Sequence, residues 1–376
     1  MSRGGERCAI VGSGLAALAG YTVLRHRGVR PEEIVVFGTH GDPTEVWRTR
    51  AASIRQRRMR SESDGHLAAA AFPGLAVREA LHRGTPAPLF ASVANRYHPS
   101  VDAFLAHADT LRARTGWDRS FRLQRIDRIT PVAGGFELGG GTFAHVLVAT
   151  GHPGLARPPE LAPPALAHAV HAYEPHDYAS RVAIVGAGMA AATEWLNALA
   201  AGSEVVSIRR REPLRRPLNI PRPFFSKRGL AAFHATLPER RAATLRELSA
   251  PSYPAGAGWD DPIDAAMADG RFRVVRAGSD AAQTSQACEQ VICATGFEHG
   301  WIRDPLLADL VERAGLATHG DWIVLAPDST IPDLTDETRT LSIAGVAGRW
   351  AFPAADTIAG AKYAAHGFVR RACRTR

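Results

Sequence analysis

Short, unbroken apolar runs recur along the chain, and two of them lead into the same glycine pattern. Cys8-Ala-Ile-Val11 runs into Gly12-Ser-Gly14-Leu-Ala-Ala17, and Val182-Ala-Ile-Val185 runs into Gly186-Ala-Gly188-Met-Ala-Ala191. An alanine- and leucine-rich stretch follows each, and then a second apolar run, Ile34-Val-Val-Phe37 in the first copy and Val205-Val-Ser-Ile208 in the second. The order strand, glycine turn, helix, strand predicts one βαβ crossover per copy. Between the copies, Gly151 to Ala169 is rich in Pro and Ala and predicts a hinge after a short strand, Val146 to Ala149. Residues Ser226 to Asp269 carry a helical pattern with a loop around Pro251 to Gly258. Strands return at Val274-Val275 and Val291-Ile-Cys-Ala294, and Thr357 to Cys373 predicts a closing helix.

These elements give an α/β fold class with two Rossmann-like, three-layer dinucleotide-binding domains, the second inserted into the first. The first domain is expected to be discontinuous, 1–160 with 275–376, and the second to cover 175–274. A length of 376 residues agrees with two cores rather than one.

In each turn the first glycine allows the tight bend, the second lets backbone approach a pyrophosphate, and a small third residue lets helix and strand pack closely. The helix N-terminus then offers free N–H groups to the phosphates. Gly12, Gly14, Ala17, Gly186, Gly188 and Ala191 are therefore candidate cofactor-binding residues. A single such turn is also found in plain close-packed βα junctions; two copies in matching contexts favour the nucleotide reading. The residue ending the following strand selects the nucleotide. In the second copy that strand ends in Arg209-Arg210-Arg211, where guanidinium groups suit the 2′-phosphate of NADPH. The competing explanation is a solvated arginine run, and position favours the cofactor role for Arg209 and Arg210. In the first copy the strand ends at Phe37-Gly38, and the acid that binds a ribose is missing. Asp42 and Glu45 are the nearby carboxylates, each also readable as an ordinary loop acid.

Composition narrows the classes further. The chain is 45% hydrophobic and 22% charged, ordinary for a globular protein. Its four cysteines include no CxxC pair, which argues against a disulfide framework, a dithiol reductase or a zinc site and favours a reducing cytoplasm. No export signal and no run of about 18 apolar residues is present, so a membrane role is not expected. The net charge of +8 is spread along the chain without a nucleic-acid-binding signature, and anionic cofactors explain it more simply. No histidine pair has metal-ligand spacing, so no metal is expected.

Taken in order, Gly12-x-Gly14-x-x-Ala17, Trp47 with Arg48, the hinge beginning Ala149-Thr-Gly-His-Pro153, Gly186-x-Gly188-x-x-Ala191, Arg209-Arg210 and Glu289-x-x-x-Cys293-Ala-Thr-Gly296-Phe297 resemble the class B flavoprotein monooxygenases, the flavin-containing and N-hydroxylating enzymes. The resemblance covers nearly the whole chain. It implies FAD at the first turn, with Trp47 and Arg48 in the loop beside it, and NADPH at the second. It also implies that the two Ala-Thr-Gly segments connect the domains, which adds Thr150, Gly151, Thr295 and Gly296 to the candidate cofactor residues. The implied chemistry is oxygenation of a nitrogen or sulfur centre of a small metabolite by O₂, through a flavin C4a-hydroperoxide formed after NADPH reduces the flavin. Ser61 falls near the family's flavin-side asparagine and is the candidate catalytic residue, while Arg58 and Arg60 could meet FAD phosphate or an acidic substrate. For these arginines, as for His66, a solvated surface role is the alternative. Arg215 to Arg228, with its prolines and paired phenylalanines, reads as a loop over the nicotinamide or as an irregular packed connection.

The sequence departs from the family at Thr44-Glu45-Val46, where paired glycines are usual. It departs again at His171, followed by Tyr173 rather than by an aromatic four residues on, and at Val346, which follows Ala344-Gly345 in place of an acid. Two rival readings stay open at this point: an FAD- and NADPH-dependent reductase with a non-oxygen acceptor, and a degenerate nucleotide-binding regulator.

Overall fold

The structure, a computed structural model, describes residues 7–59, 71–93, 97–158, 169–216, 219–254 and 256–374. Its frame is two five-stranded parallel sheets. The first contains β1 (Cys8–Val11), β2 (Ile34–Gly38), β3 (Phe121–Leu123), β4 (His145–Val148) and a late strand, Thr340–Ile343. The second contains β5 (Ala169–His171), β6 (Arg181–Val185), β7 (Glu204–Arg209), β8 (Phe272–Arg276) and β9 (Gln290–Cys293). With Thr340–Ile343 as β10, the orders are β10-β4-β1-β2-β3 and β8-β7-β6-β9-β5. Cys8 lies opposite Ile34 on one side and His145 on the other, and Val182 lies opposite Val205 and Gln290.

Parallel strands covered on both faces must be apolar throughout, which is why β1, β2 and β4 read as unbroken hydrophobic runs. On one face of the first sheet Ile10, Val36 and Leu147 pack against α1 (Leu15–His26) and the closing helix, Ile358–Ala372. On the other, Val11, Phe37 and Val148 pack against an antiparallel meander, whose strands are Thr130–Val132, Gly135–Leu138 and Gly141–Phe143, and against the helix Pro305–Ala314. The second sheet is covered by the helices Met189–Ala200 and Ala257–Ala268 on one face and Ser279–Gln286 on the other.

Two segments depart from the expected division at 275. Strand β9, expected in the first domain, hydrogen-bonds between β6 and β5 in the second sheet. The reason is that β4 and β9 are both apolar runs ending in Ala-Thr-Gly, and a run apolar on both faces carries no mark of its partner. The helices Lys227–His234 and Pro238–Leu248, expected within the second domain, pack on the first: Phe233, Ala242 and Leu245 join Trp350 and Leu306 in one cluster, and Leu230 and Leu248 join Phe352 in another. Their apolar faces predict burial but not against what.

Candidate functional site

Both glycine turns sit at the C-terminal edge of their sheet. Gly12 (φ +111°) and Gly186 (φ +138°) take up backbone conformations that L side chains rarely adopt. A Cβ on Gly12 would overlap the carbonyl oxygen of Ala149, and one on Gly186 that of Ala294. Each turn is thus pressed against the Ala-Thr-Gly segment that follows the neighbouring strand. Gly14 and Gly188 are extended N-caps with no side-chain cap, and among the described residues a Cβ on either would meet nothing within 4 Å. Ala17 and Ala191 are fully buried against the sheets. Behind each open glycine the helix leaves uncapped N–H groups, the arrangement that receives a phosphate. Gly345 (φ +77°) closes in on Gly151 at the end of β10 and extends the first rim with further backbone.

At the end of β2 the missing acid has a physical cause. A Cβ on Gly38 would overlap the Ser13 side chain, which is 3% exposed and fills that space. Ser13 Oγ lies 3.2 Å from His40 Nδ1, and His40 Nδ1 lies 2.9 Å from the carbonyl oxygen of Asp42. Asp42 accepts from Thr44 N at 2.8 Å and Thr44 Oγ1 at 2.7 Å. Burial opposes ionisation, but those two bonds and the Arg48 and Arg112 guanidinium groups hold its carboxyl below the usual range. Asp42 is therefore a loop-fixing residue, and Glu45 is exposed on the first turn of the helix Glu45–Ser53.

At the end of β7, Arg209 Nη1 donates to Glu212 Oε2 at 3.0 Å, with its guanidinium carbon 5.6 Å from the centroid of the buried Trp195 ring. Both border a cavity of about 330 Å³ shared with Tyr253, Ile263, Met267 and Phe272. Arg210 is exposed beyond it. The two arginines thus stand apart: Arg209 braces the strand end, and Arg210 faces outward.

The two Ala-Thr-Gly segments meet. Ala156 N donates to the Gly296 carbonyl at 3.0 Å and Glu298 N to the Gly154 carbonyl at 2.9 Å, an antiparallel crossing centred on Leu155 and Phe297. The threonine hydroxyls fasten it: Thr150 Oγ1 donates to Asp304 Oδ2 at 2.6 Å, and Thr295 Oγ1 donates to the Ala156 carbonyl. Asp304 also caps the helix Pro305–Ala314 through Leu306 N and Leu307 N. Thr150 therefore ties the first segment to a helix cap and Thr295 ties the two segments together, while the backbone of Gly151 and Gly296 turns at φ +80° and +78°.

Around the crossing lies an aromatic group. The Phe297 ring is stacked by His152 at 4.1 Å and by Tyr173 at 4.9 Å between centroids, and the Arg50 guanidinium lies 4.6 Å from it. Burial, with His299, Arg50 and Arg349 nearby, pulls the His152 pKa down to about 3, so the ring is neutral at neutral pH. Beside it, the fully buried Glu194 accepts from Tyr178 OH at 2.8 Å and His176 Nε2 at 2.9 Å, and Asn197 Nδ2 reaches the Ile54 carbonyl at 2.8 Å. This joins the helix after the second turn to the segment after Trp47.

Other sequence candidates resolve differently. Trp47 packs edge-on to Phe104 at 5.1 Å, as part of the core beside the first turn. Arg48 donates to Thr44 Oγ1 at 3.0 Å and approaches Asp109 at 3.4 Å. Arg58 donates to the His98 carbonyl at 2.9 Å and lies 3.9 Å from Glu79, so its head is occupied by the fold. Phe224 and Phe225 in the proline-rich loop turn inward onto Phe233 and Phe352. Ser61, Arg60 and His66 lie outside the described residues. Sequence reasoning passed over His40, His152, Glu194 and Asp304. Only Asp304, before Pro305, carries a local signal, that of a helix cap.

No family model matches the chain and no curated protein matches it by sequence. Solved structures do. The ornithine N-hydroxylase of Kutzneria sp. 744 superposes with a TM-score of 0.73 at 15% identity, covering 99% of both chains. The ornithine hydroxylase of Pseudomonas aeruginosa gives 0.66 at 16% identity, over 97% of this chain and 99% of that one. The bacillithiol disulfide reductase of Bacillus cereus gives 0.61 at 12% identity, over 99% of both. Among the described residues no helix is long and apolar enough to cross a membrane. Two parallel sheets, two glycine turns and this end-to-end likeness place the chain in the two-dinucleotide-binding fold that N-hydroxylases and a disulfide reductase share.

Proposed function

We propose that the protein is an FAD-dependent, NADPH-using oxidoreductase that oxygenates a nitrogen or sulfur centre of a small metabolite. The observation that carries this reading is the pair of glycine cradles, each closed by an Ala-Thr-Gly segment, with those segments bonded to each other. Such a joint brings two nucleotide-binding edges to one place, which transfer from one cofactor to another requires. The residues fit the groups: Gly14 and the start of α1 leave room and free N–H donors for the FAD pyrophosphate, and Gly188 does the same for NADPH. When bound, FAD supplies hydride acceptance and activation of O₂. The chain's own contribution is to hold the two nucleotides edge to edge and keep water from the joint, where Phe297, His152 and Tyr173 pack together. On this reading the second unit covers 169–294, apart from the two helices that lean on the first.

Disulfide reduction, the activity in the name of one structural neighbour, is less well supported. Cys293 is fully buried, and burial pushes its thiol up to about 11, so it offers neither access nor thiolate.

The protein should purify yellow, bleach on anaerobic mixing with NADPH, and regain its colour on admission of O₂. A colourless protein that binds no added FAD sinks the proposal, and a flavin that NADPH reduces but O₂ fails to reoxidise favours a non-oxygen acceptor.

Arg210 is our assignment for the 2′-phosphate, with Arg209 as its brace. Arg210→Ala is expected to weaken NADPH by about tenfold and NADH hardly at all, the loss of a charge-assisted bond. Arg209→Ala should weaken both, because it disturbs the strand end itself. Equal losses for the two nucleotides in Arg210→Ala would remove the assignment.

A further inference from the structure

The loop from Gly38 to Thr44 is fixed at nearly every residue. Gln124 N donates to the Gly38 carbonyl at 3.0 Å, Trp117 Nε1 donates to the Gly41 carbonyl at 3.0 Å, and Asp42 is tied to Thr44. Within this rigid frame His40 is half-buried, and its Nδ1 is held between Ser13 Oγ and the Asp42 carbonyl. A carbonyl oxygen only accepts, so in the neutral ring Nδ1 carries the proton and Nε2, which has no hydrogen bond from a described residue, is left as an acceptor. The carbonyl partner thus fixes the tautomer, as it does for histidines that bind a ligand through the other nitrogen. The ring stands two residues past the end of the second strand, against Ser13, which precedes the open Gly14, in the region where this fold ordinarily presents a carboxylate to a ribose. Ser13 leaves no room for that carboxylate at position 38, and Asp42 is taken up by Thr44 in the loop.

We infer that His40 replaces the missing acid and reads the adenosine ribose of FAD, accepting a hydrogen bond from a hydroxyl at Nε2. Ser13 is the positioning residue, since the hydroxyl that excludes a side chain at position 38 also orients the imidazole. The inference rests on the flavin reading above and deepens it. A carboxylate can accept from both ribose hydroxyls, whereas one ring nitrogen accepts from one. The site therefore distinguishes a ribose from a deoxyribose by a single hydrogen bond, a factor of about three to ten in affinity.

The experiment titrates flavin-stripped protein with FAD and with FAD built on 2′-deoxyadenosine or 3′-deoxyadenosine, following flavin fluorescence. Wild type should bind one of the two deoxy forms about three- to tenfold more weakly than FAD. His40→Asn, whose short amide can meet Ser13 and Asp42 but cannot extend to the ribose, should bind all three alike. His40→Gln, which sets an amide oxygen near the place of Nε2, should keep the discrimination. NADP⁺ affinity should be unchanged in both. FAD binding that is blind to both deletions in wild type overturns the inference and leaves the flavin reading standing, as does discrimination that survives in His40→Asn. No FAD binding at all overturns both.

Discussion

Gly14→Val is expected to yield a folded protein without flavin, and Gly12→Ala a protein that struggles to fold. The two glycines are two residues apart and belong to one motif, yet their surroundings differ. No other part of the described residues lies within 4 Å of a Cβ on Gly14, and its φ of −85° suits any residue. A side chain there projects only into the space that a pyrophosphate would take, so thermal stability should move by no more than about 0.5 kcal/mol, as for an ordinary surface change. The flavin content of the purified protein should nevertheless fall nearly to zero. Gly12 combines φ +111° with overlap on the Ala149 carbonyl, a backbone atom tied into the β4 edge. Strain and overpacking together cost at least about 3 kcal/mol, a drop of several degrees in melting temperature. Gly188→Val should mirror Gly14→Val by sparing the flavin and losing NADPH. Absorbance per polypeptide and a melting curve measure the first two, and an NADP⁺ titration beside them measures the third. A flavin-replete Gly14→Val, or an undisturbed Gly12→Ala, would contradict the cradle as described.

The second large effect is expected at Glu194. Its carboxylate is fully buried and is the acceptor for both His176 and Tyr178. Glu194→Ala leaves an imidazole and a phenol in the interior without that acceptor, and breaking a buried pair from one side costs about 3–5 kcal/mol. The milder Glu194→Gln keeps the shape and tests the charge. Burial alone would lower the His176 pKa, but the bonds to Glu194 and to the Glu174 carbonyl outweigh it and raise the value. A base with a raised folded pKa contributes stability that is complete below its unfolded value, about 6.5, and is lost as pH climbs through the raised one. The gap between wild type and Glu194→Gln in urea should therefore be widest near pH 6 and narrower near pH 9. A gap independent of pH would mean that the pair is not ionic.

The elements of the fold were legible because their signals are local. Apolar runs, two glycine turns and an alanine-rich helix after each need no knowledge of distant residues. What stayed hidden was partnership. Strand β9 gave no mark of the sheet it joins, and Leu230, Phe233 and Leu245 gave a face without naming Trp350 and Phe352 as what it covers. In the site, the absent acid at position 38 looked like a defect while Ser13 and Gly38 were read 25 residues apart; in space they are one steric fact. Glu194 was invisible for the same reason, since a carboxylate on an alanine-rich helix reads as solvated until His176 and Tyr178 are folded over it.

The bonded crossing of the two connections has a mechanical consequence. One strand of chain between two bodies is a tether and permits rotation in any direction. Two antiparallel strands, bonded to each other at Ala156, Glu298 and Thr295 and anchored on Asp304 by Thr150, resist twisting as a single strand would not. Swinging about the line of the crossing leaves those bonds intact, while twisting across it must break them. The helices Lys227–His234 and Pro238–Leu248, leaning on the first unit, and the Asn197–Ile54 bond brace the sheets further, so the edges that carry Gly14 and Gly188 are held in one alignment.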